Sequence, residues 1–231
     1  MSEVNIERNI EIWKERVGNA SAKFGGAEIC AVTKTVDAQT INRAWACGIR
    51  TIGENRVQEL LGKLDALNPN YSIHLIGRLQ TNKVRQITGR VAMVQSVDRD
   101  ALAEELSRRA VQAQIRMDVL IEVNPAGEAQ KGGVDEAALE PFARRVCALP
   151  GLRLRGLMAV MPFVDDPEQI RPLFRRMRGH FERLRDEDLP GAQIDTLSMG
   201  MSGDCLVAAE EGATMVRLGR ALFGERTYPA Q

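Results

Sequence analysis

Short apolar runs alternate with amphipathic helical patterns about eight times along this 231-residue sequence. The runs are apolar at successive positions, which is typical of strands buried on both faces in a parallel sheet covered by helices. The predicted strands span 28–33, 50–53, 72–76, 91–97, 117–123, 152–160, 194–197 and 214–218. Eight strand–helix units predict an α/β fold: a single closed (β/α)8 TIM-type barrel over residues 1–231. A doubly wound open sheet is the alternative.

The helical patterns each place their apolar residues on one face. An extra N-terminal helix, which ends at Gly25-Gly26, carries Ile6, Ile10, Trp13 and Val17 at helical spacing. Residue types that favour the N-cap predict that Asp37, Asp98 and Ser202 begin helices. A helix near the C-terminal end of the chain is predicted to bury Leu173, Met177, Phe181 and Leu184.

The balance of charge argues against nucleic acid and membrane as partners. Lys and Arg together number 31, as do Asp and Glu, so the chain carries no net charge that would attract either. No apolar run is long enough to span a bilayer. The mixed-charge N-terminus lacks the apolar segment of a signal peptide, so we expect a cytoplasmic location.

The cysteines and histidines predict neither a disulfide framework nor a metal site. Cys30, Cys47, Cys147 and Cys205 show no C-x-x-C spacing. The two histidines, His74 and His180, are far apart in sequence. Zinc chemistry and Ser-His-Asp chemistry are therefore disfavoured.

Lys34 follows the first predicted strand, at the end where such barrels place their active sites. Two interpretations are open. The side chain can simply leave the strand and extend into solvent. Alternatively, its amine is held in a partly desolvated barrel mouth, which would lower its pKa and favour Schiff-base chemistry.

Two glycine-containing turns follow the seventh and eighth predicted strands. They are S198-M-G-M-S-G-D204 and V216-R-L-G-R-A-L-F-G224. Their backbone N–H groups and the Ser202 hydroxyl can bind an anion, and barrels often place phosphate at these two loops. Ser202 as an ordinary N-cap is the alternative. A phosphate site beside a strand-end lysine favours pyridoxal 5'-phosphate as cofactor.

Arg217 lies in an otherwise apolar strand. It could form an ion pair with a neighbouring carboxylate such as Glu54. Alternatively, its guanidinium could lie beside the pyridine nitrogen of the cofactor and discourage protonation there. The ring would then be a weak electron sink, and carbanion chemistry would be poorly supported.

Five motifs resemble the family of pyridoxal phosphate homeostasis proteins, also called YggS or proline synthase co-transcribed protein. They are A31-V-T-K-T35, I52-G-E-N-R-V-Q-E59, H74-L-I-G-R-L-Q-T-N-K83 and the two turn motifs above, and the match runs from Ile29 to Arg226. The resemblance implies a fold-type III barrel like the N-terminal domain of alanine racemase. It also implies a non-catalytic protein that binds pyridoxal phosphate and helps to regulate its supply.

The resemblance also implies roles for individual residues. Lys34 would hold the cofactor as an internal aldimine, and Arg217 would face the pyridine nitrogen. Ser202, Gly219 and the backbone of Arg220 would hold the phosphate. The ring would be lined by Asn55 and Met201, with His74 nearby.

The sequence departs from the family pattern at two positions. Arg220 stands where the family often has a small hydroxyl residue, so a side-chain contact to phosphate is lost, although a guanidinium could add charge pairing. Ile73 stands where the family often has Trp, and we expect this change to affect packing.

The alternative function is a pyridoxal-phosphate-dependent amino-acid racemase, which needs an acid or base on each face of the cofactor. Neither tyrosine, Tyr71 or Tyr228, is an obvious candidate for the second face. An aldolase that uses Lys34 without a cofactor is less favoured still.

Surface features add few expectations about partners. The arginine-rich helix at 168–186 is interpreted as a solvated face, and the aromatic content of 4% argues against nucleic-acid binding. The segment R78-L-Q-T-N-K83 is either a helix start capped by Thr81 or a loop whose Lys83 meets phosphate or a partner. We expect a monomer, with pyridoxal-phosphate-dependent apoenzymes as candidate recipients of the cofactor.

Overall fold

Eight parallel strands close into a barrel in the order in which they occur along the chain. The computed structural model describes residues 4–128 and 130–224. The strands are β1 Glu28–Val32, β2 Thr51–Glu54, β3 Ser72–Leu75, β4 Met93–Val97, β5 Met117–Val123, β6 Leu152–Ala159, β7 Thr196–Ser198 and β8 Met215–Leu218. The barrel closes where β1 pairs with β8 and Cys30 lies opposite Arg217. The predicted (β/α)8 barrel is confirmed, and the open sheet is wrong.

Helices surround the barrel. They are α1 Ile6–Ser21, α2 Ala38–Ala46, α3 Val57–Lys63, α4 Val84–Ile87, α5 Asp100–Gln112, α6 Leu139–Ala148, α7 Arg171–Asp186, α8 Cys205–Glu210 and α9 Arg220–Phe223. Helix α1 is the predicted extra N-terminal helix, and it packs against α8 and α9. Short 3-10 turns occur at Ala22–Phe24, Leu64–Ala66, Thr81–Lys83, Glu136–Ala138 and Pro167–Ile170.

The core has two layers because successive strand residues point to opposite sides of the sheet. Between the barrel and its helices lies a large apolar layer, to which α7 contributes four buried side chains: Phe174, Met177, Phe181 and Leu184. The sequence predicted Leu173 in place of Phe174, but Leu173 is only partly buried. A smaller cluster of Met93, Leu120 and Met158 fills part of the barrel interior.

Of the three predicted N-caps, one is confirmed. Asp37 caps α2 and accepts a hydrogen bond from the Thr40 backbone N–H at 2.9 Å. Asp98 does not cap α5, because Arg99 occupies the cap position and pairs with Asp98. Ser202 does not begin α8, which starts at Cys205 with Asp204 in the cap position.

The arginines of α7 are engaged in ion pairs with neighbouring carboxylates. Arg171 bridges Glu168, Glu210 and Glu211, and Arg176 pairs with Glu136. This helix face therefore carries paired charges, which agrees with its interpretation as a solvated face.

Several sequence expectations concern features that the structure describes directly. All four cysteines are free thiols. In the described part of the chain, no helix combines the length and the apolar character needed to cross a bilayer. Within residues 4–128 and 130–224, no group of three or more His, Cys, Asp or Glu side chains is arranged to hold a metal ion.

Candidate functional site

A cavity of about 570 Å³ opens at the C-terminal ends of the strands. Seven of the eight predicted site residues line it: Lys34, Asn55, Met201, Ser202, Arg217, Gly219 and Arg220. Lys34 comes from the end of β1, Asn55 follows β2, and the remaining five come from the segments that contain and follow β7 and β8. Strand ends far apart in sequence therefore meet at one pocket, as expected of this barrel.

The backbone on both sides of Lys34 is held by α3. Lys63 Nζ donates to the carbonyl oxygens of Thr33 at 2.8 Å and Val36 at 3.3 Å. The backbone N–H of Thr35 donates to Glu59, and Thr35 itself has a positive φ of 63°, which is uncommon for a residue with a side chain. Two α3 side chains, Lys63 as donor and Glu59 as acceptor, thus fix the turn that presents Lys34 to the cavity.

A buried ion pair lies beneath this turn. Lys63 Nζ is 2.7 Å from Glu54 Oε1, and Glu54 is fully buried. Burial raises the pKa of Glu54, while the charge of Lys63 and hydrogen bonds from Lys63 and Thr33 act in the opposite direction. Glu54 therefore pairs with Lys63 and not with Arg217, so the ion-pair interpretation of Arg217 with Glu54 is wrong.

Arg217 is buried and its guanidinium is held by carbonyl and hydroxyl oxygens. Nη1 donates to the backbone oxygen and to Oγ of Ser198, both at 2.8 Å, and Nη2 donates to the Ala159 carbonyl at 2.7 Å. Burial lowers the pKa of Arg217 from its usual value, but a guanidinium stays protonated in proteins. Within the described residues these bonds use three of its five N–H donors, and Arg217 lines the cavity.

The turns after β7 and β8 are joined by Ser202. Its hydroxyl accepts a hydrogen bond from the Ala221 backbone N–H at 3.4 Å. Within the described residues, the backbone N–H groups of Ser202 and Gly203 have no hydrogen-bond partner. Both residues line the cavity, so two donors are available there to a bound anion.

One carboxyl group also lies in this turn. Asp204 accepts a hydrogen bond from the Met201 backbone N–H at 2.5 Å. Burial raises the pKa of Asp204, opposed by that hydrogen bond and by the charge of Arg217. Asp204 belongs to one of the two turn motifs, but no role in the site was predicted for it.

Asn55 supplies a polar atom that needs a partner. Its Oδ1 is buried and makes no hydrogen bond within the described structure. Gly77 packs against its backbone so closely that a Cβ at position 77 would lie 2.3 Å from the Asn55 carbonyl oxygen. A buried carbonyl oxygen without a partner is costly, and Asn55 is one of the residues that line the cavity.

The eighth predicted residue, His74, is not among the described residues that line the cavity. Its ring lies in the barrel interior, where Nδ1 is 2.8 Å from Gln95 Nε2 and Nε2 is 3.0 Å from Ser72 Oγ. Ile76, two positions later on the same side of the strand, does line the cavity. His74 therefore lies one layer below the pocket.

Sequence reasoning placed Met158 to Met161 at the mouth of the barrel but did not extend the site to residues 162–164. Pro162, Phe163 and Val164 line the cavity, and Phe163 is 90% exposed at its rim. An aromatic residue within a Pro- and Asp-containing loop, outside any helical pattern, is the signal that could have indicated it. Another unassigned group is Glu122 on β5, whose pKa is raised to about 7 by burial and by Asp98.

Three remaining sequence expectations concern peripheral residues. The Tyr71 hydroxyl donates to the Ile41 carbonyl at 2.7 Å in the core, while Tyr228 lies outside the described residues. Thr81 begins a 3-10 turn, and Gln80 rather than Thr81 occupies its cap position. Ile73 is buried in the main core, where its role is packing.

The structure is a parallel (β/α)8 barrel in which the lysine that follows β1 and the turns after β7 and β8 line one cavity. Residues 2–227 match the family model described as the N-terminal domain of alanine racemase. The chain is 44% identical to a pyridoxal phosphate homeostasis protein of Aquifex aeolicus, over 93% of this chain and 95% of that protein. It is 43% identical to the protein of the same name from Pseudomonas aeruginosa, over 97% of each. The chain belongs to the pyridoxal phosphate homeostasis protein family.

A solved structure supports the same assignment. PipY of Synechococcus elongatus, with pyridoxal phosphate bound, superimposes with a TM-score of 0.84 at 32% sequence identity. The match covers 95% of this chain and all of that chain.

Proposed function

We propose that this chain is a non-catalytic pyridoxal 5'-phosphate-binding protein of cofactor homeostasis, with residues 1–231 as one binding domain. The observation that carries the proposal is that Lys34, Arg217 and the turn at Ser202 and Gly203 line a single cavity. The names of the relatives and the pyridoxal phosphate in the PipY structure support the choice of ligand.

The cavity residues fit the chemistry of this cofactor. When bound, pyridoxal phosphate would supply an aldehyde, and Lys34 would be the amine that holds it. The unpartnered N–H groups of Ser202 and Gly203, near Gly219 and Arg220, would donate to the phosphate oxygens. The unsatisfied Oδ1 of Asn55 and the exposed Met201 would contact the ring.

Arg217 favours a carrier over an enzyme. Its buried guanidinium, held by Ser198 and Ala159, is a cationic group that would lie beside the pyridine nitrogen and discourage protonation of it. An unprotonated ring withdraws electrons weakly, so a carbanion on a bound amino acid would be poorly stabilised. Tyr71 has its hydroxyl committed to a core carbonyl, so it offers no second acid or base for the racemase alternative.

Attachment of the cofactor can be tested directly. The purified chain is mixed with pyridoxal phosphate, reduced with borohydride and digested, and the modified lysine is identified by mass spectrometry. We expect a single adduct on Lys34, loss of that adduct in Lys34→Ala, and no change in Lys23→Ala, an exposed lysine at the opposite end of the barrel. A wild-type chain that stays colourless and unmodified with excess cofactor would refute the proposal.

We propose that the chain acts as a monomer in the cytoplasm and that pyridoxal-phosphate-dependent apoenzymes receive its cofactor. Light scattering, cell fractionation and reactivation of a purified apoenzyme by the loaded chain test these three points separately. Assay of a panel of L- and D-amino acids with the loaded chain tests for racemase activity, for which we expect none above the free cofactor.

A further inference from the structure

A network of hydrogen bonds leads from Arg217 down the inside of the barrel. Arg217 Nη1 lies 2.8 Å from Ser198 Oγ, and Ser198 Oγ lies 2.7 Å from Gln95 Oε1. Gln95 Nε2 lies 2.8 Å from His74 Nδ1, and His74 Nε2 lies 3.0 Å from Ser72 Oγ. The network crosses β8, β7, β4 and β3, and all its members except Ser72 are buried.

Each member of this network determines the hydrogen-bonding role of the next. A guanidinium can only donate, so Ser198 Oγ accepts from Arg217 and directs its single hydrogen to the Gln95 carbonyl oxygen. Gln95 then turns its amide N–H toward His74, so Nδ1 must be an acceptor. A neutral His74 therefore carries its hydrogen on Nε2, where Ser72 Oγ can accept it.

The opposite orientation leaves a polar group unsatisfied. If Nδ1 of His74 carried a hydrogen, the Gln95 carbonyl oxygen would have to face it and the amide N–H would face Ser198. Ser198 Oγ would then receive hydrogen bonds from both Arg217 and Gln95, and its own hydrogen would lose its acceptor in a buried place. A buried polar group without a partner is unfavourable, so the observed direction is preferred.

The surroundings of His74 keep its ring neutral. Burial is the main cause that lowers its pKa, to about 4. The charged groups that face it are Asp118 on β5, which raises the pKa, and Arg155 on β6, which lowers it. Asp118 and Arg155 are themselves paired at 2.6 Å, so their effects on His74 oppose each other.

We propose that Ser198, Gln95 and His74 are positioning residues that hold the Arg217 guanidinium against the bound pyridine ring, with the neutral Nε2–H tautomer of His74 fixing the direction of the network. The direction of the network stands on the geometry alone. Its effect on a pyridine ring rests on the proposed function.

The first experiment uses the full chain without cofactor and reads the tautomer by ¹⁵N NMR of histidine side chains. The chain has only two histidines, so His180→Gln assigns both signals. We expect His74 in the neutral Nε2–H form throughout pH 5–8. An Nδ1–H tautomer, or an imidazolium in this range, would overturn the proposed direction.

A substitution in the middle of the network sharpens this test. In Gln95→Glu the carboxylate only accepts, so it still receives the Ser198 hydrogen but now favours a hydrogen on His74 Nδ1. We expect the midpoint of the His74 titration to rise by about 1–3 pH units. Gln112→Glu, an exposed substitution of the same kind on α5, should leave that midpoint unchanged. An unmoved midpoint in folded Gln95→Glu would refute the network.

The second experiment uses the chain loaded with pyridoxal phosphate and follows its visible absorption against pH. Gln95→Met removes the acceptor of Ser198, and Ser198→Ala removes the hydroxyl while keeping the backbone oxygen that Arg217 also contacts. In either variant we expect the pH at which the visible absorption of the bound cofactor changes to shift by at least about half a unit. The amount of Lys34 adduct should be unchanged.

The outcomes separate this inference from the proposed function. Unshifted spectra in both variants, with normal Lys34 adducts, would refute the positioning role while leaving the binding function intact. A wild-type chain that forms no adduct would refute the binding function, but the tautomer of His74 would still be decided by the first experiment. If Gln95→Met does not fold, the titration of Ser198→Ala alone decides whether the positioning role holds.

Discussion

At the scale of single residues, Lys63 compensates a carboxylate that the fold has buried completely. Glu54 is shielded from solvent, one of its oxygens pairs with Lys63 at 2.7 Å, and the other has no hydrogen-bond partner within the described structure. We predict that Lys63→Met lowers the free energy of unfolding by about 3–5 kcal/mol at pH 7.5, because it leaves an unpaired charge in the core. Urea denaturation followed by circular dichroism measures this loss.

The double variant shows whether the charge or the packing is responsible. Lys63→Met with Glu54→Gln removes both charges and should recover a substantial part of the lost stability. Lys14→Met is the matched control, because Lys14 is exposed and donates to the backbone carbonyl of Cys47. Equal losses in the control and in Lys63→Met would show that the buried pair is unimportant.

The sequence predicted some site residues and could not predict others, for reasons visible at this scale. The rule that active sites lie at strand ends was sufficient to find Lys34 and Arg217. The rule does not give depth along a strand, so His74 was predicted near the ring although it lies a layer below the pocket. The Glu54–Lys63 pair joins β2 to α3 through a side-chain geometry that no spacing in the sequence reveals.

At the scale of elements, the turn between β7 and α8 contains a glycine at which any side chain would be strained. Gly200 has φ +91°, and a Cβ there would lie 2.5 Å from the Cβ of Ala208. We predict that Gly200→Ala lowers the free energy of unfolding by about 1–3 kcal/mol, because it adds both backbone strain and a clash. Urea denaturation measures the loss. The variant should also bind pyridoxal phosphate more weakly, since the same turn presents Ser202.

Gly203 in the same turn is the matched control. A Cβ at position 203 meets no atom of the described residues within 4 Å, and Gly203 has no positive φ. We expect thermal denaturation of the unloaded Gly203→Ala variant to match wild type. A Gly203→Ala variant as unstable as Gly200→Ala would contradict the assigned role of Gly200.

Elements were predicted better than their boundaries. Apolar runs specified all eight strands; β5 has the predicted bounds, and the ends of the others moved by at most two residues because strand limits depend on pairing with neighbours. Asp98 and Ser202 were wrong as N-caps because each side chain has another partner, namely Arg99 and the Ala221 backbone. A favourable cap residue is therefore diverted where another contact, local for Asp98 and long-range for Ser202, uses the same oxygen.

At the scale of the whole molecule, the buried His74 and the half-buried Glu122 make the stability of the barrel depend on pH in opposite directions. His74 has its pKa lowered from 6.5 to about 4 by burial, so between these values the unfolded chain binds a proton that the folded chain does not. Its contribution is present above pH 6.5 and is lost as the pH falls to 4. Glu122 has its pKa raised from 4.5 to about 7, mainly by burial, so its contribution is present below pH 4.5 and is lost as the pH rises through 7.

Each shift corresponds to up to about 3 kcal/mol, since one pKa unit equals about 1.4 kcal/mol. Because the two ranges overlap, we predict that these two groups largely cancel in the wild-type chain between pH 4.5 and 6.5. His74→Gln, which keeps an acceptor for Gln95, should become relatively more stable as the pH falls from 7 to 4.5. Glu122→Gln should become relatively less stable as the pH falls from 6.5 to 4.

Urea midpoints measured at half-unit pH steps give the stability of each variant relative to wild type as a function of pH. The comparison with wild type cancels the contributions of all other groups. The difference in stability between variant and wild type should change with pH in opposite directions for the two variants, because burial lowers the pKa of His74 and raises that of Glu122. The same direction in both variants would contradict these two pKa shifts.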